Sequence, residues 1–330
     1  MRVAVIGVGA MGRNHARVYN ELDHAELVAV ADSNPVLADK VAHQFRTRSY
    51  ADYRELLAKE KLDAVTIAVP SSLHLAVARD VVDAGVPMLI EKPIAATVAE
   101  AQEVIELAKK KDVFLTVGHI ERFNPAILEL KRRLDAGALG RIFELRARRL
   151  GPFPARVRDV GVVLDLAPHD LDIMRYLTNA EVIRVYAETA RRIHTEHEDL
   201  VSGVLSFANG IVGALEINWL TPTKVREISV TGERGMFVAS YLTQELFFYE
   251  NSTTEGEWSS LRTLTGVSEG EMVKPSIQVR EPLRVELETF LGRVARKELP
   301  AVTGEDGMRA LLLAQKLVES GLTHRVVQVS

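Results

Sequence analysis

A glycine-punctuated turn between two short apolar runs constrains this chain more than any other feature. The first run, Arg2 to Ile6, leads into Gly7, Gly9 and Gly12, read from Ile6-Gly7-Val8-Gly9-Ala10-Met11-Gly12. The second, Ala25 to Ala31, ends at Asp32, about 20 residues past the last glycine. Strand, glycine turn, helix, strand and acid, in that order, are what a bound dinucleotide requires. One glycine makes the tight turn, the next lets backbone approach the pyrophosphate, and the third lets the helix pack on the strand. The pyrophosphate is then expected at the helix N-terminus, around Ala10, Met11 and Gly12, where unpaired N–H groups and the dipole favour an anion. A carboxylate at Asp32, followed by Ser33, accepts both ribose hydroxyls of NAD and repels the 2′-phosphate of NADP. NAD is therefore the expected cofactor.

The chain's 330 residues suffice for two domains with separate cores. An apolar fraction of 47% and a charged fraction of 26% suit a globular enzyme. The formal charge of −4 leaves no footprint for nucleic acid or an anionic membrane. Lys109-Lys110-Lys111 falls where a helix should end, which suits cations. The basic run from Arg146 to Arg149 reads as a strand with alternate side chains in water. With no cysteine, disulfides, thiolate catalysis and cysteine-ligated metal sites are excluded. Glycines interrupt the N-terminal run where a secretory core would carry leucine, and no apolar stretch approaches a membrane span. A cytoplasmic location is expected.

Apolar runs at 2–6, 25–31, 64–69, 86–90 and 113–117 alternate with helical patterns near 12–22, 35–45, 53–60, 73–84 and 98–111. Runs such as Ala64-Val65-Thr66-Ile67-Ala68-Val69 lack polar alternation, as expected of strands covered on both faces. A doubly wound α/β domain over 1–122 is the expectation, with its ligand at the carboxyl ends of the strands. Beyond it the pattern predicts an α+β domain over 123–330 with a large, mainly antiparallel open sheet. Strand-like segments occupy 141–150, 182–190, 199–207, 211–219, 226–231 and 235–241. Ala208-Asn209-Gly210 and Glu233-Arg234-Gly235 mark hairpins. Helices are expected near 125–136, 162–178, 283–297 and 305–320, the last two able to pack back on the first domain. The segment 251–275 reads as a loop. One sheet face is left without cover, so a homodimer or homotetramer is expected.

Two groups of residues invite chemistry. Glu91-Lys92-Pro93 closes a buried strand at the sheet's ligand edge, and the peptide before Pro93 is a candidate for the cis form. Asp165 and His169, at a spacing of four, share one helix face, with Asp172 three further on. A carboxylate beside an imidazole orients it and raises its basicity, which suits proton removal from an alcohol. Pro168 fits a first helical turn better than an interior, so Asp165 is expected just before the helix or in a kinked turn. A structural lysine and a structural histidine remain open alternatives. His194-Thr195-Glu196-His197-Glu198-Asp199 has the composition of a metal loop but reads as a solvated turn, and no metal site is expected. Trp219 and Trp258 read as packing residues.

The glycine turn, Glu91-Lys92-Pro93, Gly118-His119-Ile120-Glu121-Arg122-Phe123-Asn124-Pro125, Asp165-x3-His169 and Gly304-Glu305-Asp306-Gly307 together resemble the Gfo/Idh/MocA oxidoreductase family over nearly the whole chain. That resemblance implies a catalytic group of Lys92, Asp165 and His169. Pro70, Ser71, His74, Glu91 and Lys92 would flank the cofactor, and His119 to Asn124, with Arg122 among them, would line the junction of nicotinamide and sugar. Where the family often carries a glycine pair before Asp-x3-His, this chain has only Gly161. The segments 117–125 and 218–224 look most like a branch that includes UDP-N-acetylglucosamine 3-dehydrogenases. For a diphosphate substrate, Arg156, Arg158, Lys224 and Arg226 are available cations. The implied activity is NAD-dependent oxidation of a secondary hydroxyl on a sugar or nucleotide sugar. An inositol or free-monosaccharide dehydrogenase, and a non-catalytic NAD-binding regulator on the same scaffold, are the alternatives.

Overall fold

A computed structural model describes residues 1–154, 160–193, 196–251 and 269–329. The chain divides into two compact units. The first holds Met1–Phe123 and Glu281–Leu312, the second Asn124–Arg280 and Leu313–Ser330. The chain thus passes between units three times, with residues 281–312 returning to the first unit, where the sequence reading allowed the last two helices to pack.

In the first unit, β1 (Arg2–Ile6), β2 (Glu26–Ala31), β3 (Arg48–Tyr50), β4 (Ala64–Ile67), β5 (Met88–Glu91) and β6 (Leu115–Gly118) form a parallel sheet. Its order is β3-β2-β1-β4-β5-β6. That is the doubly wound arrangement, with the order reversing between β1 and β4 and a crevice opening at their carboxyl ends. β3 was not foreseen. Its residues, Arg48-Ser49-Tyr50, carry no apolar run, because an edge strand does not need two buried faces. The helices are α1 (Ala10–Glu21), α2 (Pro35–Phe45), α3 (Tyr53–Lys59), α4 (His74–Asp83) and α5 (Val98–Lys110). Local chemistry fixes their starts. Asn34 Oδ1 accepts from the Val36 and Leu37 amides with Pro35 in the first turn, and Thr97 accepts from the Glu100 amide. Lys109 and Lys110 occupy the last turn of α5, as the dipole favours.

The returning segment contributes a helix, Pro282–Arg296. Its Leu283, Leu287, Phe290 and Leu291 join Val3, Val5, Tyr19 and Leu89 in one core, so this stretch belongs to the first unit for a plain packing reason.

The second unit is built on a nine-stranded sheet. Its strands are β7 (Ile142–Pro152), β8 (Val182–Ala190), β9 (Leu200–Phe207), β10 (Val212–Asn218), β11 (Leu220–Gly232), β12 (Gly235–Ser240), β13 (Glu245–Asn251), β14 (Glu269–Val273) and β15 (Val327–Gln328). The order is β14-β13-β12-β11-β7-β10-β9-β8-β15. β7 and β10 pair parallel while the other pairs run antiparallel. The two predicted hairpins are present, with Gly210 at φ +85° and Gly235 at φ +147°. β14 corrects the reading of 251–275 as loop throughout. Residues 252–268 lie outside the described residues, Trp258 among them.

Helices α6 (Pro125–Asp135) and α7 (Val162–Thr178) cover one face of this sheet, together with Leu313, Ala314 and Leu317 of the last helix, Gly304–Thr323. Leu145, Ala147, Leu205, Leu215 and Phe237 point into that core. Alternate residues point away. Val204 is 50% and Val212 43% exposed, beside surface ion pairs from Arg148 to Glu216 and Glu227.

Candidate active site

The crevice of the first unit holds a cavity of about 610 Å³, lined by Gly7, Gly9, Asp32, Ser33, Val69 and Pro70 among others. Each glycine there has its own reason. Gly7 has φ +87°, and a Cβ on it would come within 2.7 Å of Ala68 backbone on the neighbouring strand's exit. A Cβ on Gly12 would collide with the Gly7 carbonyl, whereas Gly9 faces open space within 4 Å. The turn, the tight packing and the open approach are thus separate positions, which is what a bound pyrophosphate needs. Helix α1 starts at Gly9 with no side-chain cap and no acid in its first turn, leaving its N–H groups for an anion. These residues fit a dinucleotide.

Asp32 directly follows β2 at the cavity wall. Its Oδ2 accepts from the Val8 amide at 2.9 Å and its Oδ1 from the Asn34 amide at 2.9 Å, so the backbone sets the direction of the carboxylate. Three lining residues escaped the sequence reading: Asp52, Tyr53 and Arg54, which follow the unforeseen β3. Tyr53 donates to Asp80 at 2.7 Å, and burial with that carboxylate pushes its hydroxyl up to about 12. The Arg54 guanidinium lies 4.7 Å from the Tyr53 ring centre and pairs with Asp80.

Lys92 follows β5, half-buried, and the Lys92–Pro93 peptide is cis. Glu91 is buried, and His74 is wholly buried between two carbonyl groups: Nδ1 lies 2.9 Å from Pro93 O and Nε2 2.9 Å from Val69 O. His74 thus braces two loops of the sheet's ligand edge. Burial pulls its imidazole below the usual range, against the opposing pull of those carbonyl groups. Ser71 sits in a short 3-10 turn between Pro70 and His74.

In the second unit, α7 begins at Val162 with Gly161 as its N-cap. Asp165 lies in the first turn, and Pro168 is inside the helix. The expectation that Pro168 marks a first turn is therefore wrong. The helix start is fixed elsewhere, because Glu198 Oε1 accepts from the Val163 amide at 3.1 Å and the Val162 amide donates to the Glu198 carbonyl at 2.9 Å. A Cβ at Gly161 would collide with that carboxylate, which explains the single glycine. The solvated-turn reading of 194–199 also needs correction. His194 and Thr195 lie outside the described residues, but Asp199 is fully buried and accepts from the Arg192 and Ile193 amides.

Asp165 and His169 are half-buried on one face of α7. Asp172 is fully buried. Asp170, on another side of the helix, takes a two-pronged bond from buried Arg149 on β7: Nε to Oδ2 at 2.7 Å and Nη2 to Oδ1 at 3.0 Å. Arg146 and Arg148 face water as expected, and Arg149 does not. Buried Trp219 meets Phe153 edge-on, with ring centres 5.7 Å apart.

The remaining predicted residues are placed as follows. His119 is buried in the first unit. Arg122 is buried there too and pairs with Asp306 at 3.2 Å. Asn124 caps α6 through the Ala126 amide and donates to the Tyr241 carbonyl at 3.0 Å, so its polar atoms are committed inside the second unit. Lys224 is exposed on β11, while Arg226 donates to the Val225 carbonyl at 2.8 Å. Arg156 and Arg158 lie outside the described residues.

Comparison with known proteins decides the family. The model of the oxidoreductase family with an NAD-binding Rossmann fold, Gfo/Idh/MocA, matches residues 1–119, and the model of the Gfo/Idh/MocA C-terminal domain matches residues 127–238. The chain belongs to the Gfo/Idh/MocA family. Among its relatives, UDP-N-acetylglucosamine 3-dehydrogenase of Acidithiobacillus ferrooxidans is 32% identical, over 95% of this chain and 95% of that one. A solved structure of the Acidithiobacillus enzyme superposes with a TM-score of 0.86 at 31% identity, covering 97% of each chain. Myo-inositol 2-dehydrogenase of Thermotoga maritima is 28% identical over 100% of this chain and 99% of its own. As a Gfo/Idh/MocA member with such relatives, the chain is an oxidoreductase acting on CH–OH groups with a nicotinamide dinucleotide. Among the described residues no helix is long and apolar enough to cross a membrane.

Proposed function

We propose that the chain is an NAD-dependent dehydrogenase of a nucleotide sugar, oxidising the C3 hydroxyl of UDP-N-acetylglucosamine with Lys92, Asp165 and His169 as catalytic group. The observation that carries the catalytic reading is the Asp165–His169 pair, half-buried on one face of α7 while Asp170 and Asp172 are committed to the interior. The substrate reading rests on the 32% identity to the Acidithiobacillus enzyme, sustained over 95% of both chains.

Bound NAD supplies the hydride acceptor. His169 takes the hydroxyl proton as the carbon–hydrogen bond breaks, so the alcohol becomes a ketone and the imidazole an imidazolium. Asp165, one helical turn earlier, orients that ring and stabilises its charge. Lys92 donates a hydrogen bond from Nζ to the same oxygen as negative charge grows on it. Gly7, Gly9, Ala10, Met11 and Gly12 seat the pyrophosphate, and Asp32 and Ser33 the adenosine ribose. Steady-state turnover of a panel of nucleotide sugars and cyclitols tests the substrate. UDP-N-acetylglucosamine is expected to give the highest kcat/KM. Preference for myo-inositol would favour the second reading, which the Thermotoga relative motivates.

Asp32 also sets the cofactor. Each charge-assisted bond to ribose is worth roughly 1.5–3 kcal/mol, so Asp32→Ala should raise KM for NAD at least about 10- to 100-fold. The same change should lower KM for NADP, since a repelling charge is removed. Parallel titrations with both cofactors read this out, and an unchanged NAD preference would contradict it. The exposed face of the second sheet, with Val204 and Val212 beside Arg148, is where self-association is proposed, and light scattering should give a mass above the monomer's 36.5 kDa.

A further inference from the structure

Directly behind Lys92, the first unit buries three ionisable side chains from three elements. His15 comes from α1, Glu91 ends β5, and Glu286 comes from the helix Pro282–Arg296. One ligand-type atom from each lies within 4.8 Å of the others. His15 Nε2 is 2.6 Å from Glu91 Oε1, and the other oxygen of Glu91 accepts the Lys92 amide at 3.2 Å. Gly118 stands opposite Glu91 in the sheet, and a Cβ there would lie 3.1 Å from that carboxyl group. Neither oxygen of Glu286 has a hydrogen-bond partner, although the residue is 1% exposed. Charge on such a group is costly, and burial, reinforced by the neighbouring Glu91, raises the Glu286 carboxyl well above the usual range. Burial and the Glu91 carboxyl thus both favour its protonated form.

From this juxtaposition we infer that His15 and Glu286 are positioning residues for Lys92, acting through the Glu91 carboxylate. His15 holds one oxygen of Glu91, the other oxygen holds the Lys92 amide, and the direction in which the lysine leaves the strand is thereby set from the core. In its protonated form Glu286 leaves room for the Glu91 charge. Once Glu286 loses its proton, two like charges share a dry site and the carboxylate is driven off the amide. The other ionisable groups around the cluster are Tyr19 on α1, His74 on α4, Lys92 itself and Arg293 on the Glu286 helix. The inference rests on Lys92 being the catalytic lysine.

Amide hydrogen exchange at Lys92, resolved by nuclear magnetic resonance on the whole chain, tests it without needing turnover. His15→Leu is expected to lower the Lys92 protection factor at least about tenfold while amides of β1 and β4 keep theirs, and His15→Gln, which retains a donor, to restore part of it. Alongside, kcat should fall about tenfold in His15→Leu with KM for NAD held. In the parent, Lys92 protection should decline as pH rises through the titration of Glu286, and Glu286→Gln should remove that decline. Stability follows the same sign. The contribution of a raised carboxyl is complete below the usual carboxylate range and lost as pH rises above it, so Glu286→Gln should also flatten the fall in Tm above that range. Unchanged Lys92 protection in folded His15→Leu would overturn the inference, as would a parent decline that persists in Glu286→Gln. If His15→Leu does not fold, the Glu286→Gln comparison decides. Zinc that raises the Tm of the parent but not of Glu286→Gln would make the cluster a metal site and overturn it as well. Turnover that survives Lys92→Ala would instead remove the catalytic reading on which the inference stands, and is seen separately.

Discussion

Replacing Lys92 with alanine is expected to lower kcat about 10²- to 10³-fold, the usual loss when one donor to a developing oxyanion is removed. Affinity for NAD should stay close to that of the parent, because the proposed pyrophosphate and ribose contacts are with the glycine turn and Asp32, not with β5. Arginine should not rescue the loss, since a planar guanidinium cannot place its charge where a compact ammonium does. Stopped-flow NADH formation, with NAD affinity measured by protein fluorescence, separates the two quantities. A parallel loss of NAD affinity would make Lys92 a cofactor ligand. Full turnover would remove it from the reaction.

The second large effect is on stability. Asp170→Ala takes from Arg149, 4% exposed, its two-pronged carboxylate, and breaking a buried pair in this way costs about 3–5 kcal/mol. For a unit of this size each kcal/mol is worth roughly 2–4 °C, so Tm should fall by about 6–20 °C. The Arg149 guanidinium also lies over the Tyr241 ring, 5.2 Å from its centre, and that contact does not replace the lost carboxylate. Removing both partners, as Arg149→Met with Asp170→Leu, should cost much less than the single change, because the buried positive charge leaves together with its carboxylate. The pair ties α7 to β7, so the single variant should also loosen the helix that carries Asp165 and His169 while NAD still binds the first unit. Calorimetry of the single and double variants reads the difference. Equal destabilisation by both would show that packing, not the buried charge, is what matters.

These two residues also mark how far the sequence reaches. Lys92 was legible because its neighbours in sequence are its neighbours in space: a strand, an acid and a proline. The same holds for the glycine turn and for Asp165 with His169, one helical turn apart. Arg149 and Asp170 were not legible as a pair. They lie on different elements, and although alternation from Leu145 and Ala147 puts Arg149 on the inner face, it names no partner for it. His15, Glu91 and Glu286 meet only because a late helix returns to the first unit, and periodicity gives no partner for a single buried acid. β3 and β15 were missed because short edge strands need no apolar run. Pro168 misled through a sound capping rule, overridden by the contact of Glu198 with the true helix start. Asn124, flagged as a substrate contact through the family resemblance, has a capping role at α6 that the sequence reading did not assign.

Hydride transfer from a sugar carbon is the step on which the account turns, and isotope tracing observes it directly. Enzyme, NAD and UDP-N-acetylglucosamine deuterated at C3 should yield nicotinamide carrying the deuterium, a ketone at C3, and a slower hydride step than with the protonated sugar. Both products should disappear together in His169→Ala. Deuterium retained in the sugar or released to water, with reduced nicotinamide formed at the parent rate, would contradict the account.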